Sequence, residues 1–260
     1  MKKVRILKMD VSTGKAQRAF DYVAVERPLF VYLNKIHYAT IYSSPTQLKE
    51  LAVGHVLSEG IIKSIREIGN ITLGKDSVCR LKLKANVNLE NRLKLSTPFS
   101  RVILSACGTS QPYQFIGKLP RITSALKVNA KVIIESVRQL NFMADTFRKT
   151  GGVHIATIYK SDGNLVSFAE DVGRHNAVDK VIGACALDKI DFDNCFLAVS
   201  GRLTGDMVLK AGRVGIPIVA SLAAALDSGV TLAEDLGLTL VGFVRGKRMN
   251  IYTFPERILS

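Results

Sequence analysis

The second half of the chain alternates amphipathic helical patterns with short apolar strands, and this alternation constrains the fold more than any other feature. An apolar stripe of helical period runs over residues 130–149, and Gly151 supplies its end. Asp162-Gly163-Asn164 then joins two strand-like runs as a hairpin turn. The remaining segments alternate between helix and strand, at 176–187, 196–199, 204–214, 216–220, 232–236 and 239–244. This pattern predicts a layered α/β structure with at least some parallel strand pairing.

The first half is instead rich in strands that are separated by turns. Residues 30–41 predict a hairpin whose turn is Asn34-Lys35. Ser44-Pro45-Thr46-Gln47 has the form of a capping box with Pro at the first helical position, and it predicts the start of a helix that Gly60 ends. An alternating run over 78–87 predicts a further strand. We therefore expect an α+β unit ahead of the α/β unit.

Charge is distributed unevenly between these halves. The net charge is +14, and residues 1–130 hold 21 basic and 8 acidic side chains, against 15 and 14 in residues 131–260. A basic half suggests an anionic partner, which could be nucleic acid, a phosphorylated cofactor or an acidic protein, although surface lysines also serve solubility alone. We predict a basic N-terminal α+β domain (1–104), a connecting segment that bears the Cys107 loop (105–128) and a C-terminal three-layer α/β domain (129–260).

Several classes of protein are disfavoured by composition and by missing motifs. With 47% hydrophobic and 22% charged residues, the chain is too apolar for a disordered one. No run approaches the roughly 18 apolar residues of a membrane span, and no apolar signal segment follows the first residues. Four unevenly spaced cysteines do not form a secreted disulfide framework. The expected location is a reducing cytoplasm.

Metal-binding and nucleotide-binding signatures are absent from the sequence. It contains no Cys-x-x-Cys, no His-Glu-x-x-His and no P-loop. The zinc-deaminase signature is missing as well, because Ile155-Ala156 follows His154 and no proline precedes a cysteine. We therefore expect no metal site, and we interpret His55, on the apolar face of a helix, as a hydrogen-bonded core residue.

Cys107 differs from the other three cysteines. Cys79 shares strand parity with two leucines, Cys185 lies on an apolar helical stripe, and Cys195 begins a buried-type strand, so packing explains all three. Cys107 ends a short apolar strand beside Gly108, in a segment without periodic burial. An accessible thiol in the basic half would be favoured as the thiolate. Cys107 is thus a candidate nucleophile.

Two turns are candidates for binding an anion. Ser200-Gly201-Arg202 lies between a predicted strand and a predicted helix, where backbone N–H groups and an arginine favour phosphate. The other turn, Phe243-Val244-Arg245-Gly246-Lys247-Arg248, gathers three cations within four residues. It could hold a pyrophosphate, whereas a plain solvated turn is the alternative in both cases.

Taken together, these segments resemble the formate dehydrogenase accessory family, also called FdhD or sulfur carrier proteins. The most specific match is Glu170-Asp171-Val172-Gly173-Arg174-His175-Asn176-Ala177-Val178-Asp179-Lys180. Supporting matches are Ser58-Glu59-Gly60-Ile61-Ile62, Gly151-Gly152-Val153-His154, Ser200-Gly201-Arg202 and Gly215-Ile216-Pro217. The resemblance covers about residues 27–252. It implies a small α+β domain followed by a domain like the cytidine deaminase fold without its zinc.

The resemblance also implies a function. Members of the family take sulfur as a persulfide from a cysteine desulfurase and pass it to the molybdenum or tungsten bis(molybdopterin guanine dinucleotide) cofactor of formate dehydrogenase. Cys107 matches the first cysteine of the family's Cys-Gly-x-Cys loop and would be the sulfur carrier. Residues Phe243 to Arg248 match a segment implicated in binding the cofactor, with Ser200 to Arg202 as a second contact. A homodimer stays open.

The chain departs from the family pattern at Ser110, where the family usually has a second cysteine. A mechanism that needs both thiols is in doubt, whereas a relay through one cysteine is not. A second hypothesis is a chaperone that holds the cofactor without moving sulfur. RNA binding is disfavoured, since the basic half lacks interleaved aromatic residues and any recognisable RNA motif.

Overall fold

The computed structural model describes residues 1–96, 101–103 and 121–260, with the backbone alone described at 94–96 and 101–103. Its strands are β1 (Lys2–Asp10), β2 (Lys15–Val23), β3 (Arg27–Leu33), β4 (Ile36–Ser43), β5 (Ile68–Leu73), β6 (Val78–Leu83), β7 (Arg101–Ile103), β8 (Val128–Asn129), β9 (His154–Lys160), β10 (Leu165–Asp171), β11 (Cys195–Val199), β12 (Ile218–Ser221), β13 (Thr239–Arg245), β14 (Arg248–Ile251) and β15 (Ile258–Leu259). Its helices are α1 (Leu48–Ser58), α2 (Leu89–Ser96), α3 (Ala130–Met143), α4 (Asp145–Thr150), α5 (Arg174–Leu187), α6 (Gly205–Arg213) and α7 (Asp227–Leu236).

A mixed six-stranded sheet, in the order β10-β9-β11-β12-β13-β14, organises the second half. Strands β11, β12 and β13 are parallel, and β10 runs the same way because β10 and β11 are both antiparallel to β9. Along β11, Phe196 and Ala198 join one apolar cluster while Leu197 and Val199 join the other. Helix α3 covers the first face, and α5, α6 and α7 cover the second. The predicted α/β layering with parallel pairing is confirmed.

The first half forms a five-stranded sheet in the order β5-β6-β3-β4-β7. Its buried face, which includes Leu29, Val31 and Cys79, packs in the same apolar cluster as α1 and α5. The predicted hairpin is confirmed as β3 and β4, with Asn34 in the left-handed conformation of its turn. The whole is a mixed α and β structure with a core that is continuous between its halves. The division at residues 104 and 128 stays a prediction about separately folding units.

Three predicted helix boundaries were wrong, and one of them is the start of α7, which lies at Asp227 and not near residue 232. The single helix over 130–149 is two helices, because Ala144 (ψ 86°) breaks the backbone and the Glu170 carboxylate accepts from the N–H groups of Thr146 and Phe147 at the start of α4. Helix α1 begins at Leu48, after the expected capping box. Ser44 cannot cap it, since its N–H donates to Asp171 and its hydroxyl accepts from Val172 N–H. The polar groups of Ser44 that could have capped the helix locally instead form hydrogen bonds with residues that are distant in the sequence.

None of the helices in the described part of the chain is long and apolar enough to cross a membrane.

Candidate functional site

The sequence segments with a predicted binding role meet at one edge of the six-stranded sheet. Strands β10, β11, β12 and β13 point the same way, so their carboxyl ends share this edge, as does the start of the antiparallel β9 at His154. The loops that begin there are 172–173, 200–204, 222–226 and 246–247. Crevices outside the carboxyl ends of parallel strands are the usual ligand sites of open α/β sheets. We call this region the carboxyl edge.

The predicted Ser200-Gly201-Arg202 turn is fixed to its neighbours by hydrogen bonds. The Ser200 hydroxyl accepts from Ile155 N–H at 3.0 Å, and the Ser221 hydroxyl donates to the Gly201 carbonyl at 2.6 Å. A Cβ atom on Gly201 would lie 3.2 Å from the Cβ of Arg174 and 3.3 Å from its Cδ. The stem of Arg174 therefore packs directly over this glycine. Arg202 is exposed at the same turn.

His154 lies in the electrostatic field of both arginines. Burial lowers the pKa of its imidazole, and the positive charges of Arg174 and Arg202 lower it further, against an opposing effect of Asp171. Asp171 contributes little free negative charge here, since it is paired with Lys180 at 2.6 Å and both side chains are fully buried. The carboxyl edge therefore combines two guanidinium groups with a neutral imidazole, which is an environment that attracts an anion.

Two buried polar atoms near this edge that belong to neutral side chains have no hydrogen-bond partner in the described part of the chain. They are Nε2 of His175, in the first turn of α5, and Oγ1 of Thr204, which precedes α6. Burial, together with Lys210 and Arg174, lowers the pKa of His175 to about 3. Buried polar atoms are normally hydrogen-bonded, so an unpartnered pair calls for an explanation.

The side chains of the long motif at residues 170–180 mainly stabilise the fold. Asp171 accepts from Gly173 N–H and from the Asn176 side chain, which holds the start of α5. Asp179 pairs with Lys210 from α6 at 2.9 Å. The sequence analysis used this motif as the most specific match to a family. It did not assign Arg174 to the site, nor His154, which lies in a neighbouring glycine-containing turn. The parallel topology that brings them together has no local signal in the sequence.

The predicted cationic turn joins β13 to β14 and has two unusual features. Phe243 has φ +50°, which is rare for an aromatic residue, and it lies in a register shift between Gly242 and Arg245. Arg245 lies directly opposite Arg248 across the hairpin. Like charges in that position destabilise a strand pair unless an anion offsets them. We call the segment 243–248 the basic turn.

One loop lies between the basic turn and the Ser200–Arg202 turn. The Ala223 carbonyl accepts from Phe243 N–H at 2.9 Å, and the Ala224 carbonyl accepts from Leu203 N–H at 2.9 Å. Arg245 Nε donates to the Leu222 carbonyl at 3.1 Å. Both predicted binding segments thus border the loop at 222–226. A cleft of about 330 Å³ with Leu222, Val244 and Arg245 in its wall opens beside the basic turn.

The described part of the chain holds three cysteines and no cluster of metal-binding side chains. Cys79, Cys185 and Cys195 are all buried, as predicted, and burial raises the pKa of Cys79 to about 11 and that of Cys185 to about 12. Cys107 and Ser110 lie outside the described residues. Within those residues, no group of three or more His, Cys, Asp or Glu side chains is arranged to hold a metal ion.

Comparison with known proteins defines the class to which this site belongs. A model of the FdhD/NarQ family matches residues 24–259, so the chain belongs to that family. Proteins named sulfur carrier protein FdhD are similar along the whole chain. The one from Sulfolobus acidocaldarius is 37% identical, covering 99% of this chain and 98% of the relative, and the one from Saccharolobus solfataricus is 37% identical, covering 98% and 99%.

A solved structure extends the comparison to the fold. It is the crystal structure of a protein from Desulfotalea psychrophila that is described as a formate dehydrogenase accessory protein. It superposes with a TM-score of 0.79 and 28% identity, and the match covers 99% of each chain. The arrangement of sheets and helices above is therefore shared along nearly the entire chain.

Proposed function

We propose that this protein is a sulfur carrier, and in that sense a sulfurtransferase, in the maturation of formate dehydrogenase. Membership of the FdhD/NarQ family and the printed names of its relatives support this role. Sulfur would travel on Cys107, from a cysteine desulfurase to the bis(molybdopterin guanine dinucleotide) cofactor of molybdenum or tungsten. The expected setting is the cytoplasm, where thiols stay reduced.

The observation that carries the proposal concerns the chain's other cysteines. Only the thiolate form of cysteine is nucleophilic, and burial raises the pKa of Cys79, Cys185 and Cys195. Those three thiols are also closed off from a second protein by packing. Of the four cysteines in the sequence, Cys107 is the one left to accept sulfur.

The loading step is an exchange without net oxidation. The Cys107 thiolate attacks the outer sulfur of the desulfurase persulfide, a new S–S bond forms at Cys107, and the desulfurase cysteine leaves as its thiolate. Ser110 cannot resolve the product as a second cysteine would, since a hydroxyl forms no disulfide. We therefore propose direct delivery of the outer sulfur to the cofactor, which returns Cys107 to the thiol state. The transferred sulfur is at the sulfane level, so a reduced metal centre of the cofactor would supply the two electrons that convert it to sulfide.

The cofactor would be held through its phosphates. The opposed arginines of the basic turn and the cations near Ser200–Arg202 support this part of the proposal, because a dinucleotide cofactor with two guanine arms presents two pyrophosphates. We also propose that the C-terminal layers descend from a cytidine-deaminase-like fold without zinc. The helix–sheet–helix layering and the missing zinc signature in the sequence support that relation.

Sulfur loading provides the test. After incubation with a cysteine desulfurase and cysteine, intact-mass spectrometry should show one added sulfur, and peptide mapping should place it on Cys107. Cys107→Ala should gain no sulfur and should fail to activate a formate dehydrogenase. A variant with Cys79, Cys185 and Cys195 all changed to alanine is the matched control and should load normally. Normal client activation by Cys107→Ala would contradict the relay.

A cofactor-binding chaperone is the second candidate, and Ser110 is the observation that favours it, because the loop lacks the second thiol of its family. A chaperone would bind the cofactor and activate the client without gaining sulfur from the desulfurase. The same loading experiment therefore separates the two functions.

A further inference from the structure

The N-terminal hairpin of β1 and β2 stands apart from both apolar clusters of the fold. Its two strands pair only with each other in the described structure, along their whole length, and form a separate sheet. The first residue along the described chain that joins either apolar cluster is Leu29. A two-stranded hairpin is at best marginally stable in water by itself, so this one needs further contacts. We call residues 2–23 the N-terminal ribbon.

The two faces of the N-terminal ribbon differ in exposure. Val4, Ile6 and Ala19 share one face and are half-buried. Because side chains alternate along a strand, the opposite face carries four large apolar side chains that are 42–64% exposed. They are Leu7, Met9, Phe20 and Tyr22. Half of the large apolar side chains that are exposed in the described part of the chain lie in its first 23 residues, and such a concentration marks an interaction surface.

The exposed face of the ribbon is also positively charged. Three cations lie among its apolar side chains, and they are Lys3, Arg5 and Arg18. Lys3 Nζ lies 4.5 Å from the centre of the Phe20 ring. The two acids of the ribbon, Asp10 and Asp21, lie on the opposite face. A partner must therefore offer apolar groups together with negative charge, whereas a second copy of this chain would bring two positive faces together.

The base of the ribbon lies at the carboxyl edge of the six-stranded sheet. A Cβ atom on Gly152, just before β9, would lie 3.1 Å from the Cβ of Ala24, which follows β2. Met1 and Val25 also line a cleft of about 180 Å³ together with Glu170, near the carboxyl end of β10. A protein that docks on the ribbon would therefore stand beside the edge at which the proposed cofactor-binding turns lie.

We infer that the N-terminal ribbon is a docking surface for the client enzyme, and that it binds an acidic, partly apolar surface of a formate dehydrogenase. The identity of the client rests on the proposed function, because a carrier must present the cofactor-binding edge to the enzyme that takes the cofactor up. The exposed apolar face and its three cations are independent of that function.

Binding to an immobilised formate dehydrogenase that lacks its cofactor, followed by biolayer interferometry, tests the apolar part of the surface. Leu7→Thr/Phe20→Thr removes two of the four exposed apolar side chains and keeps residues that suit a strand. Dissociation should become faster, so that the affinity falls at least about tenfold. Leu73→Thr/Leu165→Thr is the matched control, since these strand leucines are 45% and 47% exposed in other sheets, and it should bind like the wild type.

The cations test the charge of the partner. Arg5→Gln/Arg18→Gln should slow association about tenfold at low salt, leave dissociation nearly unchanged and flatten the salt dependence of binding. Arg80→Gln/Lys82→Gln removes two exposed cations from β6 and should leave association at the wild-type rate. Every altered residue is exposed, so the four variants should unfold close to the wild-type temperature. Wild-type affinity in both ribbon variants would overturn the inference.

Two further measurements separate the client from other occupants. Sulfur loading of Cys107 by the desulfurase should be unchanged in Leu7→Thr/Phe20→Thr, and a loss of loading would assign the ribbon to the desulfurase and overturn the inference. The oligomeric state in sedimentation should also be unchanged. A wild-type dimer that dissociates in this variant would assign the ribbon to a second copy, which overturns the inference as well.

The docking surface and the sulfur carrier function can fail separately. A wild-type protein that loads sulfur but does not bind the client would overturn the docking surface and leave the loading step standing. If the wild type binds the client through the ribbon but gains no sulfur, the sulfur carrier function fails and the docking surface stands.

Discussion

The contact between α1 and α5 and the carboxyl edge both combine glycines with clustered charges, yet they use them in opposite ways. In the helix contact, Lys210 from α6 is matched by Asp179 at 2.9 Å and Glu59 at 2.9 Å, and His55 pairs with Asp179 at 3.0 Å. At the carboxyl edge, Arg174 and Arg202 both lower the pKa of His154, and the nearby Asp171 is paired with Lys180. The charges of the helix contact are paired with one another, whereas the two arginines of the carboxyl edge act together on one imidazole.

The glycines of the two regions also have different structural roles. Gly54 on α1 and Gly183 on α5 let two backbones touch, because a Cβ on Gly183 would lie 1.8 Å from the Glu50 carbonyl oxygen and one on Gly54 would lie 1.7 Å from that of Asp179. Gly201 only makes room for a side chain, that of Arg174. Backbone contacts cannot yield, whereas a flexible arginine can. The two regions should therefore respond very differently to substitution.

The largest effect is expected at the helix contact. Gly183→Ala should cost more than about 4 kcal/mol and leave little folded protein, since the overlap is with backbone in a helix that cannot retreat. Thermal unfolding followed by circular dichroism, with soluble yield, measures this loss. Gly74→Ala is the control, because its Cβ would lie 3.7 Å from the Val78 carbonyl oxygen and should be tolerated. A stable Gly183→Ala protein would show that the helices can separate.

Removal of one partner from the buried charge network should have the next largest effect. Lys210→Met removes the cation that Asp179 and Glu59 share. Only Arg213, 4.0 Å from Glu59, and His55 beside Asp179 would then offset the two carboxylates, so the loss should cost about 3–5 kcal/mol. Lys149→Met removes the exposed pair with Asp145 and should cost at most about 0.5 kcal/mol. Urea unfolding compares the two variants.

A double variant separates lost charge from lost packing. Asp179→Leu/Lys210→Met should recover part of the loss if an uncompensated charge is its cause. A double variant as unstable as the sum of the single ones would instead assign the effect to packing.

Structural features that depend on neighbouring residues could be predicted from the sequence, whereas those that depend on residues distant in the sequence could not. The apolar run 196–199 identifies β11, because a buried parallel strand is apolar at every position. The break in the helix at Ala144 is invisible to periodicity, since Ala144 fits the apolar stripe and is fully buried. His55 could be interpreted as a hydrogen-bonded core residue from its place on a helix, and its bond to Asp179 confirms this.

The charge partners of Lys210 could not be predicted from the sequence. Lys210 lies 31 residues from Asp179 and 151 from Glu59, so no local pattern links them. The same holds for His154 and Arg174 at the carboxyl edge, because β9 lies beside β10 in the sheet and α5 connects β10 to β11. The basic turn is different, because its cations are adjacent in the sequence and their clustering could be seen there. Only the opposition of Arg245 and Arg248 needed the strand register.

The smallest effect we predict has the opposite sign to the others. Arg248→Gln removes the repulsion with Arg245 across the hairpin, and should stabilise the protein by about 0.2–1 kcal/mol while it weakens pyrophosphate binding at the basic turn. Lys82→Gln is a matched control, since Lys82 is an exposed strand cation that lies opposite the uncharged Asn70, and its stability should not rise. Because the two arginines are exposed, the gain should shrink in 1 M salt, where the screening length falls to about 3 Å. A destabilised Arg248→Gln protein would mean that Arg248 makes a net stabilising contribution to the fold, as the paired charges of the helix contact do, and that it is not held at this position for ligand binding alone.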